Sequence, residues 1–519
     1  MGAEMRDNKP PIRLAELVVA LSSVADLGIG LPVGSAARTA LIAVQLARSR
    51  GWPEAAVGHV FYAALLQHIG CTAYSHEVTA LFTDEFSVKR ASMATDFTRP
   101  QEVLRDYLPE LTRHAPPGER LRTLRSGLLH SRRMTDGYRL SNCETAAAVA
   151  RRLGLPDEVR TGLLDNFEWW NGKGGPRGLQ GEDISPIARV VNVAGYASFF
   201  DQRGGPETAA AAIEQRSSRY FDPALATAFC RHAKELLAET AAGDVSDRLV
   251  AAEPAPAVQV PPTEVEEVLR VFGEAVDLKS PCLHGHATTV SRLADGACRR
   301  LGLAQADVEL ARQAGLVQDL GRVAVATGIW EYPGRLGSDA WSQVRLHTYH
   351  SEQILARSKA LGRLATLAGL HHERLDGSGY YRRIAAAQLP MTARVLATAD
   401  VFQALTVDRP HRRAYSSDAA AAVVLAEARG GRLDPDAADA VLAVADGTPM
   451  SRRRQVAGLT DRQLEVIRLI ARGLSNRAIA GELVISTRTA EHHVQDIYAR
   501  IGVSSRAATA LYAMEHGLL

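Results

Sequence analysis

Apolar residues recur at three- and four-residue spacing along most of this chain. The stretches "VEEVLRVFGEAV" (265–276), "ATTVSRLADGACRRLGL" (287–303) and "DVELARQAGLVQDL" (307–320) each place one apolar stripe along a helix. Alternating runs rich in Val, Ile and Thr, which mark half-buried strands, are nearly absent. The pattern predicts an all-α protein. Two segments interrupt it. Residues 251–262 hold four prolines among small residues and cannot continue a helix. Residues 447–458, "GTPMSRRRQVAG", combine turn formers with three consecutive arginines. The expected division is a helical block at 10–245, an Ala/Pro-rich linker at 246–262, a second block at 263–447, a short linker at 448–456 and a C-terminal unit at 457–519.

Composition narrows the picture without pointing to chemistry. At 519 residues the chain exceeds one core. Hydrophobic content of 46%, charged content of 23% and a net charge of +2 are ordinary for a globular protein. Five scattered cysteines without CxxC spacing suit reduced thiols. No uncharged apolar stretch reaches membrane-spanning length, and the first residues lack the apolar centre of a signal peptide. The expectation is a cytoplasmic protein without a membrane partner.

The first two blocks read as copies of each other. "NFEWWNGKGGP" (166–176) aligns with "HHERLDGSGYY" (371–381), and "ARVVNVAG" (188–195) with "ARVLATAD" (393–400), both at an offset of 205. Upstream, "LLQHIG" (65–70) aligns with "LVQDLG" (316–321) at an offset of 251. An internal duplication is the simplest account.

The second block collects His286, Asp319, His347, His371, His372 and Asp400 in or beside helix-like stretches. Taken singly, a histidine is more often an ordinary core or surface residue. An apolar core has no use for the adjacent pair His371 and His372, followed by Glu373, Asp376 and two glycines. Imidazoles and carboxylates converging inside a helical bundle are how hydrolytic metal sites are built.

The series "GH…QDLGR…H…HHERLDGSGYY…AD…RPHR" resembles the HD-GYP family of metal-dependent phosphohydrolases. The resemblance implies tandem HD-type helical bundles and a divalent transition metal, iron or manganese. It also implies a cyclic dinucleotide such as cyclic di-GMP, or a related phosphoester, as ligand. It assigns metal ligation to His286, Asp319, His347, His371, His372 and Asp400, catalytic roles to Asp319 and Arg322, and phosphate contacts to Arg322, Arg409 and Arg412. Three departures stand out: Gln318 replaces a ligand histidine, Arg322 a lysine, and Tyr381 the proline of the Gly-Tyr-Pro loop. An amide oxygen is a far weaker ligand than imidazole. One good metal site and one poor one are therefore expected. In the first block the aligned positions read Ser35, Gln67, His68, Asn142, Asn166, Phe167 and Gly195, so that block has lost the metal set.

The last sixty residues read as four short helices. Thr460, Ser475 and Ser486 precede three of them as caps, with Gln463 at capping-box distance from Thr460. Residues 451–519 hold ten Arg against six Asp plus Glu, a local charge of +4. The stretch "LTDRQLEVIRLIARGLSNRAIAGELVIS..TAEHHV..IYARIGVSSR" resembles the LuxR-type helix-turn-helix over its full length. The resemblance implies double-stranded DNA as partner and a homodimer. Phosphate contacts would fall at Thr487, Arg488, Thr489 and Arg500, and base contacts at Glu491, His492 and Gln495.

Three functions fit these residues. The first is a transcription regulator whose HD-GYP-like modules bind a nucleotide-type ligand and metal. The alternative is a metal-dependent phosphodiesterase with a DNA-binding output domain, weakened by Gln318. In the third, both modules are dimerisation scaffolds.

Overall fold

The computed structural model describes residues 10–82, 84–113, 118, 120–241, 244–447 and 459–519. The expected linker at 448–456 lies outside them. The all-α expectation is met: among the described residues the strands are Ile12–Arg13 and Gln259–Val260, paired antiparallel with Ile12 opposite Val260.

Helices repeat in order and length across the two blocks. The 15-residue helix Ser35–Ser49 is matched by His286–Arg300, also of 15 residues. Each starts after a left-handed glycine, Gly34 or Gly285, and just before each a buried aspartate accepts a helix N–H: Asp26 from Ala36, Asp277 from Ala287. Glu54–Leu66 and Gln305–Val317 follow, 13 residues each, ending on Gln67 and Gln318. Next comes a tight 3-10 turn that needs glycine. A Cβ on Gly70 would lie 2.5 Å from the Asn142 carbonyl oxygen, and one on Gly321 would lie 2.1 Å from that of His347. Farther on, Glu168 closes its glycine loop by accepting from the backbone of Arg177 and Leu179. Glu373 does the same with Arg382 and Ile384.

The two blocks pack on one continuous apolar core running from Leu14 to Val441. A fully buried ion pair ties them: Glu85 accepts from Lys279 Nζ at 2.7 Å, and from the Thr327 backbone and hydroxyl. The segment 246–262, expected to be a linker, includes most of the helix Val245–Ala251 and then returns as the strand against Ile12–Arg13. Its prolines break the helix as expected, but its backbone is fixed by pairing.

The C-terminal helices Asp461–Ala471, Asn476–Glu482, Thr487–Ile501 and Arg506–Glu515 form a second core with Leu464, Ile467, Ile470, Ala490, Val494 and Ile497 inside. Ala73 and Leu278 of the first two blocks join that core, so the C-terminal unit is docked. Glu144 accepts from Ser504 N at 2.7 Å, and Arg151 pairs with Glu515 at 2.8 Å.

Candidate metal centre and DNA-binding helices

Six side chains from separate parts of the second block meet at one buried point. His286 is the first residue of its helix, Asp319 precedes the turn Leu320–Ala324, and His347 opens the helix His347–Leu355. His371 and His372 lie just past the helix Gly362–Ala368, and Asp400 sits within Met391–Leu405. His286 Nε2 lies 2.9 Å from Asp319 Oδ2 and 3.1 Å from Asp400 Oδ1. His347 Nε2 and His371 Nε2 approach Asp319 Oδ1 at 3.3 and 3.4 Å. His372 Nδ1 lies 3.8 Å from Asp400 Oδ2. Two groups have ligand atoms all within 4.8 Å of one another: His347, His371 and His372, and His286, Asp319 and Asp400.

Backbone and amide oxygens fix the imidazoles. The Nδ1 atoms of His347 and His371 face the Val344 and Ala368 carbonyls, and His286 Nδ1 faces Gln403 Oε1. Each arrangement presents Nε2 to the centre, as partners of metal-binding histidines do. Gln403 was not found from sequence, although it lies one helical turn after Asp400 and so on the same face.

The electrostatics favour a cation. Burial alone would raise the Asp319 carboxyl. Arg322, its Nε at 2.8 Å, and three imidazoles outweigh this and hold it well below the usual carboxylate range. Asp400 is lowered in the same way, against burial, by His372 and His286. Burial keeps His347 and His372 neutral, the form in which imidazole ligates. His286 is pushed up to about 9, because Asp319 and Asp400 outweigh its burial. His286 Nε2, both Asp319 oxygens, His372 Nδ1 and Gln318 Oε1 are buried without a well-aligned hydrogen bond. Orphaned donor atoms of this kind, nitrogen and oxygen converging on one point, fit a divalent transition metal. Gln318 spends its Nε2 on Asp400 Oδ1 at 3.2 Å and leaves its oxygen without a partner.

Arg322 is buried, stacks on Trp330 at 5.3 Å and has Nη1 unpaired. Arg409 Nη1 lies 3.9 Å from Cys282 Sγ. Arg412, expected to contact phosphate, donates its guanidinium to the carbonyls of Ala404, Leu405, Val407 and Arg413 and closes its own loop.

In the C-terminal unit the caps are as expected. Thr460 and Gln463 form a reciprocal capping box, and Ser475 and Ser486 accept from Ala478 N and Thr489 N. Thr487, Arg488, Thr489, Glu491, His492, Gln495 and Arg500 are exposed, on or beside one face of Thr487–Ile501.

Residues 270–437 match the HD domain family, and residues 457–513 match the LuxR family of bacterial regulatory proteins. The 3'3'-cGAMP-specific phosphodiesterase 3 of Vibrio cholerae is 30% identical over 415 residues, spanning 79% of this chain and 90% of that protein. The chain belongs to the HD-GYP family. A second HD-GYP relative, the cyclic di-GMP phosphodiesterase response regulator RpfG of Xanthomonas campestris, is 32% identical over 34% of this chain and 47% of its own length. The crystal structure of the V. cholerae cyclic GMP-AMP phosphodiesterase V-cGAP3 covers 85% of this chain and 99% of its own, at 26% identity and a TM-score of 0.58. This HD-GYP chain thus carries a LuxR-type DNA-binding domain fused to its HD-type modules, and its relatives imply a divalent metal. None of its described helices is long and apolar enough to cross a membrane.

Proposed function

We propose that the chain is a DNA-binding regulator that binds a cyclic dinucleotide, of the 3'3'-cGAMP or cyclic di-GMP kind, at a metal centre in its second block. The convergence of six ligand-type side chains on one buried point carries the reading. Asp319, His347, His371 and His372 hold one ion tightly; His286, Asp319 and Asp400 form a weaker second position. A bound divalent metal supplies an acidified water and neutralises phosphoryl charge. Arg322, with one free Nη1, takes a phosphate oxygen, and Asp319 is oriented by the same guanidinium. The exposed face of Thr487–Ile501 enters the major groove. Gln318 leaves the second position short of an imidazole, which suits binding better than turnover.

A second reading, a phosphodiesterase with a DNA-binding domain, is favoured by the unpartnered Gln318 Oε1, which can complete the weaker position. Metal per chain by elemental analysis, and 3'3'-cGAMP turnover with added iron or manganese, decide between them. The regulator reading expects one ion, little turnover, and nucleotide-dependent DNA affinity. Turnover abolished by Asp319→Ala would establish the enzyme instead. Activity gained in Gln318→His would identify that substitution as the disabling one.

A further inference from the structure

The first block keeps the shape of the metal centre without its ligands, and what fills that place is a cavity. It is lined by Gln67, His68, Asn166, Phe167 and Gly195, all at positions aligned with the metal set or with Gln318. A second, smaller cavity adjoins it through Gln67, His68, Met93 and Gly195, and reaches Ser35, the counterpart of His286. The larger one spans about 490 Å³ counting the open space at its mouth. About 50 Å³ of that is free to the centre of a water molecule, so one edge of a small ring enters and a dinucleotide does not.

Its chemistry differs from that of the sister site. None of the lining residues is Lys or Arg, so nothing in the wall balances a phosphate. His68 is partly buried, and desolvation pushes it down to about 4, so it presents a neutral imidazole. One imidazole with carboxamides is a poor set for a transition metal. Gln67 is 3% exposed, and it lines both cavities. A buried carboxamide offering one donor and one acceptor at a cavity wall is costly unless a ligand or water satisfies it. The Asn166 amide nitrogen donates to the Gln67 carbonyl and so fixes its side chain beside the cavity. Part of the wall is aromatic: Trp169 stacks on Tyr220 at 4.0 Å, and Tyr196 meets Tyr220 edge-on at 6.0 Å.

We propose that this cavity is a second, metal-independent ligand site. It takes an uncharged planar heterocycle with a donor and an acceptor on one edge, of the nucleobase kind. Gln67 reads that edge, Asn166 positions Gln67's backbone, and the aromatic wall covers the ring. Gly195 stands where the sister block has Asp400, and its missing side chain leaves the space: a Cβ there would meet only the far end of Gln67, at 3.4 Å.

The test uses the full-length protein treated with chelator, titrated with guanosine and adenosine and followed by tryptophan fluorescence and calorimetry. Ribose and inorganic phosphate are the controls. Saturable binding of at least one nucleoside is expected. It should weaken by about tenfold in Gln67→Leu, which loses the paired hydrogen bonds, and vanish in Gly195→Leu, which fills the space. His371→Ala should leave it unchanged, which separates this site from the metal centre and from the function proposed above. If Gly195→Leu fails to fold, Gln67→Leu decides. No saturable nucleoside binding, equal binding by the Gln67 variant, loss in His371→Ala, or competition by phosphate would each overturn the proposal.

Discussion

At the residue scale, the imidazoles of the centre depend on the groups that orient them, and Gln403 Oε1 holds Nδ1 of His286. Imidazoles and carboxylates announce themselves by type and by the HH doublet. Gln403 does not, because its role exists only once the helix Met391–Leu405 lies against His286. Gln403→Leu should lower transition-metal affinity by about 10–100-fold while thermal stability changes little, as loss of an orienting partner does; unchanged metal titration would remove Gln403 from the centre. Charge in a sequence does not say which acceptor takes a guanidinium, and that of Arg412 donates to four carbonyls. The pair Glu85–Lys279 was invisible because 194 residues separate its members. Glu85→Ala leaves an ammonium buried and should cost about 3–5 kcal/mol in urea unfolding. Glu85→Ala combined with Lys279→Met should recover part of that, since one of the two buried ammonium groups facing Glu85 is then gone and Lys89 remains, donating to the Gly28 carbonyl and Ser75. A double variant as unstable as the single would mean that Glu85 acts through Thr327 instead.

At the element scale the caps were legible because they are local. Thr460, Ser475 and Ser486 each accept from the backbone N–H three residues on, a relation that spacing alone reveals. Ser486→Ala should lower the stability of the C-terminal unit by about 1 kcal/mol, and should weaken DNA binding by loosening the turn before Arg488. Tight DNA binding with unchanged unfolding would show that the cap contributes nothing. Gly473 is different. Its φ of +79° ends the first helix of that unit, and a Cβ there would also come within 2.6 Å of Pro281. Its second constraint is a contact between parts of the chain, which no local pattern carries. The repeat was legible for a related reason: shared offsets record shared helices, whereas the common core of the two blocks is a matter of how their faces meet.

At the scale of the whole molecule, the apolar cores set how the chain unfolds. The first two blocks share one core and a buried ion pair, so neither can open without exposing the other. The C-terminal unit has its own core, joined to the rest by Ala73, Leu278 and a few polar contacts near the surface. Calorimetry should therefore show a large transition for the paired blocks and a smaller one for the DNA-binding unit, rather than the three that a reading of separate linked blocks suggests. A metal that binds the folded large unit alone should stabilise that unit by about 2.7 kcal/mol at a hundred times its dissociation constant. The large transition should move up on adding manganese or iron and return with chelator. The smaller should follow only through the docked segment between Leu278 and His286, where Pro281 meets Gly473 and His284 meets the Ala471 carbonyl. Duplex DNA, by the same linkage, should raise the smaller transition first. If metal moves both transitions equally, the two cores unfold as one, and occupancy of the centre is felt throughout the DNA-binding unit. If metal moves neither, the buried cluster of His286, Asp319, His347, His371, His372 and Asp400 is not a metal centre.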